Sequence, residues 1–143
     1  MKNFENEGST LWNINSENEM IQDSIFRRGQ NALLHIRSPE SPNNIVTNLE
    51  DRLPFDNQKQ HSLHGYIKTE NAKNVSIEAR LSIGRTDESL ITVPIGESLS
   101  GSFNWKKYWN DIPYTGEAEF FDIRSNSDIP DSGLAYSWFD DVG

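Results

Sequence analysis

The sequence predicts an all-β sandwich. Short runs of alternating apolar and polar residues recur along the chain, clusters of Gly, Pro, Asn, Asp and Ser punctuate them, and there is no sustained helical period or strand–helix alternation. About eight or nine strands are expected from that spacing.

At 143 residues the chain is expected to be one domain, spanning 1–143 and long enough to bury a core. Hydrophobic content is low at 34%, yet four Trp, four Tyr and seven Phe are too many rings for a disordered chain, so a thin aromatic core is expected. The net charge of −9 disfavours nucleic acid, whose backbone needs clustered Lys and Arg, and is compatible with neutral ligands or hard cations. The lack of cysteine excludes disulfides, thiolate zinc sites and cysteine nucleophiles. No apolar run approaches the roughly 20 residues of a membrane span, and Met1-Lys2-Asn3-Phe4 lacks the apolar stretch of a signal peptide. A soluble, monomeric domain cut from a longer protein is the expectation, with its end at Asp141-Val142-Gly143.

In chain order, Asn3 to Gly8 reads as a short extended segment ending in a turn, and Leu11-Trp12-Asn13-Ile14 begins the core. Glu19 to Ile25 is a further strand candidate, and after the Arg28-Gly29 turn Asn31 to Arg37 reads as a strand mostly buried on both faces. Pro39 and Pro42 make a loop of 38–44, Ile45 to Leu49 resumes as a strand, and 54–60 is the next loop. Ser62 to Lys68 and Val75 to Ile83 both alternate, and the polar stretch Glu70 to Asn74 reads as the turn of an antiparallel hairpin. Leu63, Gly65, Ile67, Val75, Ile77, Ala79, Leu81 and Ile83 then face the core. His64, Tyr66, Lys68, Ser76, Glu78, Arg80 and Ser82 are left on a shared polar face.

Pro94 suits an edge for the strand Ser89 to Pro94, and Gly101 to Trp105 leads into Lys106 to Asp111. In Glu117 to Arg124, Phe121 and Ile123 lie on one side and Phe120, Asp122 and Arg124 on the other. The polar loop 125–133 delivers the closing strand, with Ser137, Phe139 and Asp141 on one face and Tyr136, Trp138, Asp140 and Val142 on the other. A carboxylate where that apolar run stops suggests a partner that is either a metal ion or an arginine.

Landmarks along the chain carry a resemblance: Phe4-Glu5 near the start and Trp12 after a short turn, then Gly29-Gln30-Asn31-Ala32-Leu33-Leu34. Leu63-His64-Gly65-Tyr66-Ile67-Lys68, Gly101-Ser102-Phe103-Asn104-Trp105 with Lys106 to Trp109, and the terminal Phe139-Asp140-Asp141-Val142 complete the series. In this order the chain resembles the galactose-binding-like jelly-roll domains, in particular the carbohydrate-binding modules of bacterial glycan-degrading enzymes and surface proteins. The resemblance covers nearly the whole chain. It implies a jelly-roll β-sandwich of two antiparallel sheets, an extracellular or cell-surface setting, flanking domains and a polysaccharide or oligosaccharide partner.

The resemblance also implies a structural calcium ion held by Glu5, Asp140 and carbonyl groups of Gly29 or Asn31. The alternative is that both carboxylates are solvated or paired with Arg27 or Arg28. For a sugar, Tyr66, Glu78, Arg80, Asp122, Arg124 and Trp138 offer stacking rings and hydroxyl-binding groups on what would be the concave sheet. Cross-strand ion pairing among Glu78, Arg80, Asp122 and Arg124, with no ligand, is the competing reading. Trp12 and Trp105 are expected in the core, while Tyr108, Trp109 and Tyr114 form either a loop-end platform or packing under a loop.

Catalysis is not expected. His35, His61 and His64 have no metal-ligand spacing, and Gly96 to Gly101 departs from the nucleophile-elbow pattern. The functional alternatives are a non-catalytic carbohydrate-binding module and a structural spacer or interaction domain on the same sandwich.

Overall fold

The computed structural model describes residues 12–14, 19–22, 24–27, 31–41, 46–49, 51–85, 90–95, 97–113 and 116–143. The strands are β1 (Trp12–Asn13), β2 (Glu19–Gln22), β3 (Ala32–Arg37), β4 (Val46–Leu49) and β5 (Leu53–Pro54), followed by β6 (His61–Ser82), β7 (Ile91–Pro94), β8 (Leu99–Ile112), β9 (Phe120–Asn126) and β10 (Ala135–Asp140). All pair antiparallel. One sheet runs β1-β4-β9-β6-β7 with β5 also on β9, and the other runs β2-β3-β10-β6-β8. The all-β sandwich predicted from the sequence is thus the fold. Among the described residues there are ten strands against the eight or nine expected, β1 and β5 being pairings of only two residues each.

The expected hairpin at 62–83 does not form. β6 is one strand of 22 residues that serves the second sheet with its first half and the first sheet with its second half. Its buried positions run Leu63, Gly65, Ile67, Thr69, then Ala72, then Val75, Ile77, Ala79 and Leu81, so two steps of three interrupt the steps of two. Those breaks fall at Asn71 (φ 51°) and Asn74 (φ 48°), left-handed positions that Asn tolerates better than other non-glycine residues. Side-chain amides hold them: Asn71 Nδ2 donates to the carbonyls of Ser132 and Leu134, and Asn74 Nδ2 to Asp128. β8 follows the bend, with Gly101 at φ 108° opposite Ala72. The polar stretch 70–74 is therefore a kink, and the two alternating halves face each other across the core.

That core joins Leu33, Leu63, Ile67 and Phe139 of the second sheet to Trp12, Leu49, Ile77, Ala79 and Ile123 of the first. Gly65 is required at its centre. A Cβ there would lie 2.6 Å from Ile77 Cδ1 and 3.4 Å from Val142 Cγ2.

A polar chain runs between the sheets beside the apolar cluster. Glu19, His35 and Arg37 point inward from β2 and β3, and all three are at most 3% exposed. Arg37 Nε donates to Ser127 Oγ (3.0 Å), and Ser127 Oγ lies 2.8 Å from His35 Nδ1. His35 Nε2 lies 3.0 Å from Thr47 Oγ1, whose hydroxyl donates to Glu19. Only one set of roles completes this series: Thr47 spends its proton on Glu19 and so accepts from His35 Nε2–H, which leaves Nδ1 to accept from Ser127. His35 is neutral, with its pKa held well below the ordinary 6.5 by burial and then by the charge of Arg37. Burial raises the Glu19 carboxyl above its usual 4.5, against the opposing effects of the Thr47 hydrogen bond and Arg37. Burial also lowers Arg37 from 12.5 to about 10.

Two outcomes are expected. Gly65→Val should destabilise the fold by about 1–3 kcal/mol through overpacking, and Gly65→Ala by less because the Ile77 methyl can turn aside; urea unfolding measures both. For His35, the unfolded chain binds a proton below about pH 6.5 and the folded chain does not, so stability is lost as pH falls through that value. Glu19 has the opposite sign, gaining stability as pH falls through its raised pKa towards 4.5, which blunts the lower part of the loss. Thermal midpoints should therefore drop between pH 7 and pH 5, and His35→Gln should flatten that drop.

Candidate ligand-binding face

The outward residues of the first sheet form an ordered polar surface. Directly opposed residues of antiparallel strands share a face, which places Ser76 by Asn126, Glu78 by Arg124 and Arg80 by Asp122. Asn48 flanks Arg124, and Pro94 and Thr92 flank Glu78 and Arg80 from β7. Glu78 pairs with Arg124 and Asp122 with Arg80, the side chains being 16% and 29% exposed in the first pair and 3% and 15% in the second. The other Asp122 oxygen accepts the Leu49 N–H (3.1 Å), so this carboxylate is committed to the fold. At the far end of the face Arg52 Nη1 donates to Ser82 Oγ (3.1 Å), and the Arg85 guanidinium lies 5.0 Å above the Phe120 ring.

The six residues expected to form one sugar site divide between two faces. Glu78, Arg80, Asp122 and Arg124 come together, as ion pairs. Tyr66 and Trp138 lie on the outer face of the second sheet, on the far side of the core, because β6 changes sheets between Tyr66 and Glu78. Trp138 is 4% exposed, stacked on Tyr136 with centroids 5.7 Å apart and with Lys68 Nζ at 5.8 Å. The Arg27 guanidinium covers Tyr66 at 3.5 Å. Neither ring is open for stacking.

Of the expected calcium ligands, Glu5 and Gly29 lie outside the described residues. Asn31 is half-buried just before β3, and Asp140 is fully buried. Asp140 accepts the main-chain N–H groups of Arg27 (3.0 Å) and Asp141 (2.8 Å), while the Arg27 guanidinium pairs with Asp141 at 3.3 Å. Asp141 itself has φ 49°. Among the described residues no group of three or more His, Cys, Asp or Glu is placed to hold a metal.

β8 carries open rings. Among the described residues it is paired only to β6, and Trp109 (62% exposed), one of the rings for which a loop-end platform or packing under a loop was expected, and Phe103 (48%) stand in solvent. Trp105, expected in the core, is half-buried in a groove of about 600 Å³ with Glu97, Leu99, Phe103, Lys106 and Tyr108. Tyr108 and Trp109 occupy opposite faces of the strand and make no common platform; Tyr114 lies outside the described residues. A second recess of about 460 Å³ lies beneath the loop 54–60. Its walls are bound internally: Asn57 Nδ2 donates to the carbonyls of Gly116 and Ala118, and His61 Nε2 lies 2.7 Å from the Asp56 carbonyl.

With this geometry in hand, two solved structures align over almost the full chain. One holds the CBM22-1 and GH10 modules of endo-1,4-beta-D-xylanase 10B from Clostridium thermocellum complexed with xylohexaose, with a TM-score of 0.63 and 13% identity over 98% of this chain and 26% of that one. The other is the CBM22-2 xylan-binding domain of a Paenibacillus barcinonensis xylanase, with a TM-score of 0.60 and 12% identity over 99% of this chain and 95% of that one. The chain has the fold of a CBM22 module. It spans about a quarter of the clostridial two-module chain and nearly all of the Paenibacillus domain. No protein-family model and no curated protein sequence matches it, so the CBM22 likeness is one of backbone, and side-chain roles follow from this chain alone.

The two ion pairs should differ in their structural weight. Asp122→Ala strands Arg80 and the Leu49 N–H and should cost about 3 kcal/mol or more. Glu78→Ala, at the more open pair, should cost about 1 kcal/mol or less. Chemical unfolding of the two variants measures the difference.

Proposed function

We propose that the chain is a non-catalytic carbohydrate-binding module that attaches a larger protein to a polysaccharide through the outer face of its first sheet. The observation that carries this reading is the side-by-side placement of Glu78, Arg80, Asp122 and Arg124, edged by Asn48, Ser76, Thr92 and Asn126. Sugar hydroxyls both donate and accept, and an array of carboxylate, guanidinium, amide and hydroxyl groups answers both. The cross-strand pairs hold the long arginine side chains in place before a ligand arrives, which lowers the ordering cost of binding. Phe120 supplies a ring on the same face, beneath Arg85. The CBM22 fold supports the reading, and since the relatives' names mention xylohexaose and xylan, β-1,4-xylan is the first polymer to test.

One observation favours the spacer reading instead: the four charged groups already satisfy one another. Calorimetry with xylohexaose and affinity electrophoresis in a panel of soluble polysaccharides separate the two. Binding should fall at least about tenfold on Arg124→Ala, which removes a charge-assisted contact, and should be unchanged by Trp109→Ala on the opposite sheet. Retardation by no polysaccharide in the panel would establish the spacer.

A structural calcium ion near the chain ends belongs to the same reading. Asp140 is a fully buried carboxylate, a ligand type that suits a hard cation, and Glu5 with carbonyl oxygens of Gly29 or Asn31 would complete the set. Calcium bound there would tie the first segment to the last. EDTA should lower the thermal midpoint and added calcium restore it; an unchanged midpoint, with no calcium by elemental analysis, rejects the site.

A further inference from the structure

The charge on the outer face of the first sheet runs against that of the whole protein. Arg80 and Arg124 stand in the ladder, Arg52 reaches the same face at Ser82, and Arg85 covers Phe120. The carboxylates among the described side chains of this face are Glu78 and Asp122. Among the described residues, and leaving aside the buried Arg52, the three arginines Arg80, Arg85 and Arg124 thus meet two carboxylates, in a chain whose net charge is −9.

The hydrogen-bonding balance leans the same way. Both oxygens of Asp122 are engaged, by Arg80 and by the Leu49 N–H, and Glu78 is engaged by Arg124. Each guanidinium brings five N–H donors and no acceptor, so the face has more donors than its two carboxylates can take up. A hydroxyl answers such a surface only in part, since it donates as well as accepts. A carboxylate only accepts, and its two oxygens match the guanidinium fork.

We propose that this face selects an acidic polysaccharide, a chain of pyranoses bearing uronic-acid carboxylates. Arg85 and Arg124 take the carboxylates, and Arg80 lines the floor between them. The inference rests on the sugar-binding reading of the same face and names the ligand class within it. The negative net charge of the chain adds to selectivity, because it disfavours non-specific association with a polyanion.

The test uses two pairs of oligosaccharides that differ only in the carboxylate: hexagalacturonic acid against the same oligomer reduced to primary alcohols, and a glucuronic-acid-substituted xylotetraose against xylotetraose. Calorimetry on the intact chain should show at least one acidic member binding about tenfold or more tighter than its neutral partner, with the advantage shrinking as salt is added. Arg85→Gln, at an exposed side chain, should reduce that advantage several-fold without shifting the thermal midpoint, and Arg124→Gln should reduce it further. Equal or tighter binding of the neutral members overturns the inference and leaves the sugar-binding reading standing. An acidic preference untouched by both substitutions overturns the assignment to this face. Failure of all four compounds to bind overturns the inference, and the polysaccharide panel then decides the sugar-binding reading.

Discussion

The two sheets are joined by a directed series of hydrogen bonds from a buried guanidinium to a buried carboxylate, through Ser127, His35 and Thr47. Charged groups at this depth would be costly if isolated, and each is acceptable because the next group in the series answers it. The series permits one state of the imidazole. A second proton on His35 would set two donors against each other at Nδ1, where Ser127 and Arg37 already point. An apolar core tolerates small slips of one sheet over the other, whereas a chain of five matched polar groups does not. β2 and β3 are thereby fixed against β4 and the end of β9, and β9 is the strand that carries Asp122 and Arg124 to the proposed ligand face.

That face gains its order from the same economy of partners. Asp122 binds Arg80 and a main-chain N–H of β4, so one carboxylate both anchors a neighbouring strand and sets the direction of an arginine. Arg124 and Glu78, one row along and more open, have greater freedom to exchange each other for a ligand. The pairing on this surface is thus graded along it, from the buried pair outward. The fold likeness to CBM22 modules fits a sheet face of this kind, and the charges that distinguish the face belong to this chain.

Much of this was legible in the sequence. Alternation gave the right inward and outward sets within 62–68, 75–82 and 120–124, while Ile83, expected to face the core, lies past the end of β6 and is 51% exposed; Glu78, Arg80, Asp122 and Arg124 stand on one surface as expected. What alternation does not encode is which sheet a strand half joins. Tyr66 and Glu78 both point away from the core, and only the kink at Asn71 and Asn74 sends them to opposite sides of the molecule. The same polar residues suit a hairpin turn and a bend, so local chemistry could not choose between them. Trp138 was misread because an outward ring on a central strand can still be covered, here by Tyr136 and Lys68. Trp105 was misjudged as core, and Trp109 was left open between a platform and packing, because nothing in their spacing shows how β8 is covered. His35 and Arg37 gave no signal at all, since their partners Thr47 and Ser127 come from distant segments.

The bend in β6 also acts as a counter. Each of its two three-residue steps shifts the inward parity by one, and together they restore it, so that odd-numbered residues face the core on both sides of the kink. Loss or gain of a single residue between Thr69 and Val75 would leave the correction incomplete. In the second sheet nothing would change, but Arg80 and Glu78 would turn inward and Ala79 outward in the first. Most surface bends absorb insertions and deletions easily; this one transmits them to every contact of the ligand face. Length variation in sequences sharing this architecture should accordingly collect in the loops at the ends of the sandwich, and the count from Thr69 to Val75 should hold even where the residues themselves differ.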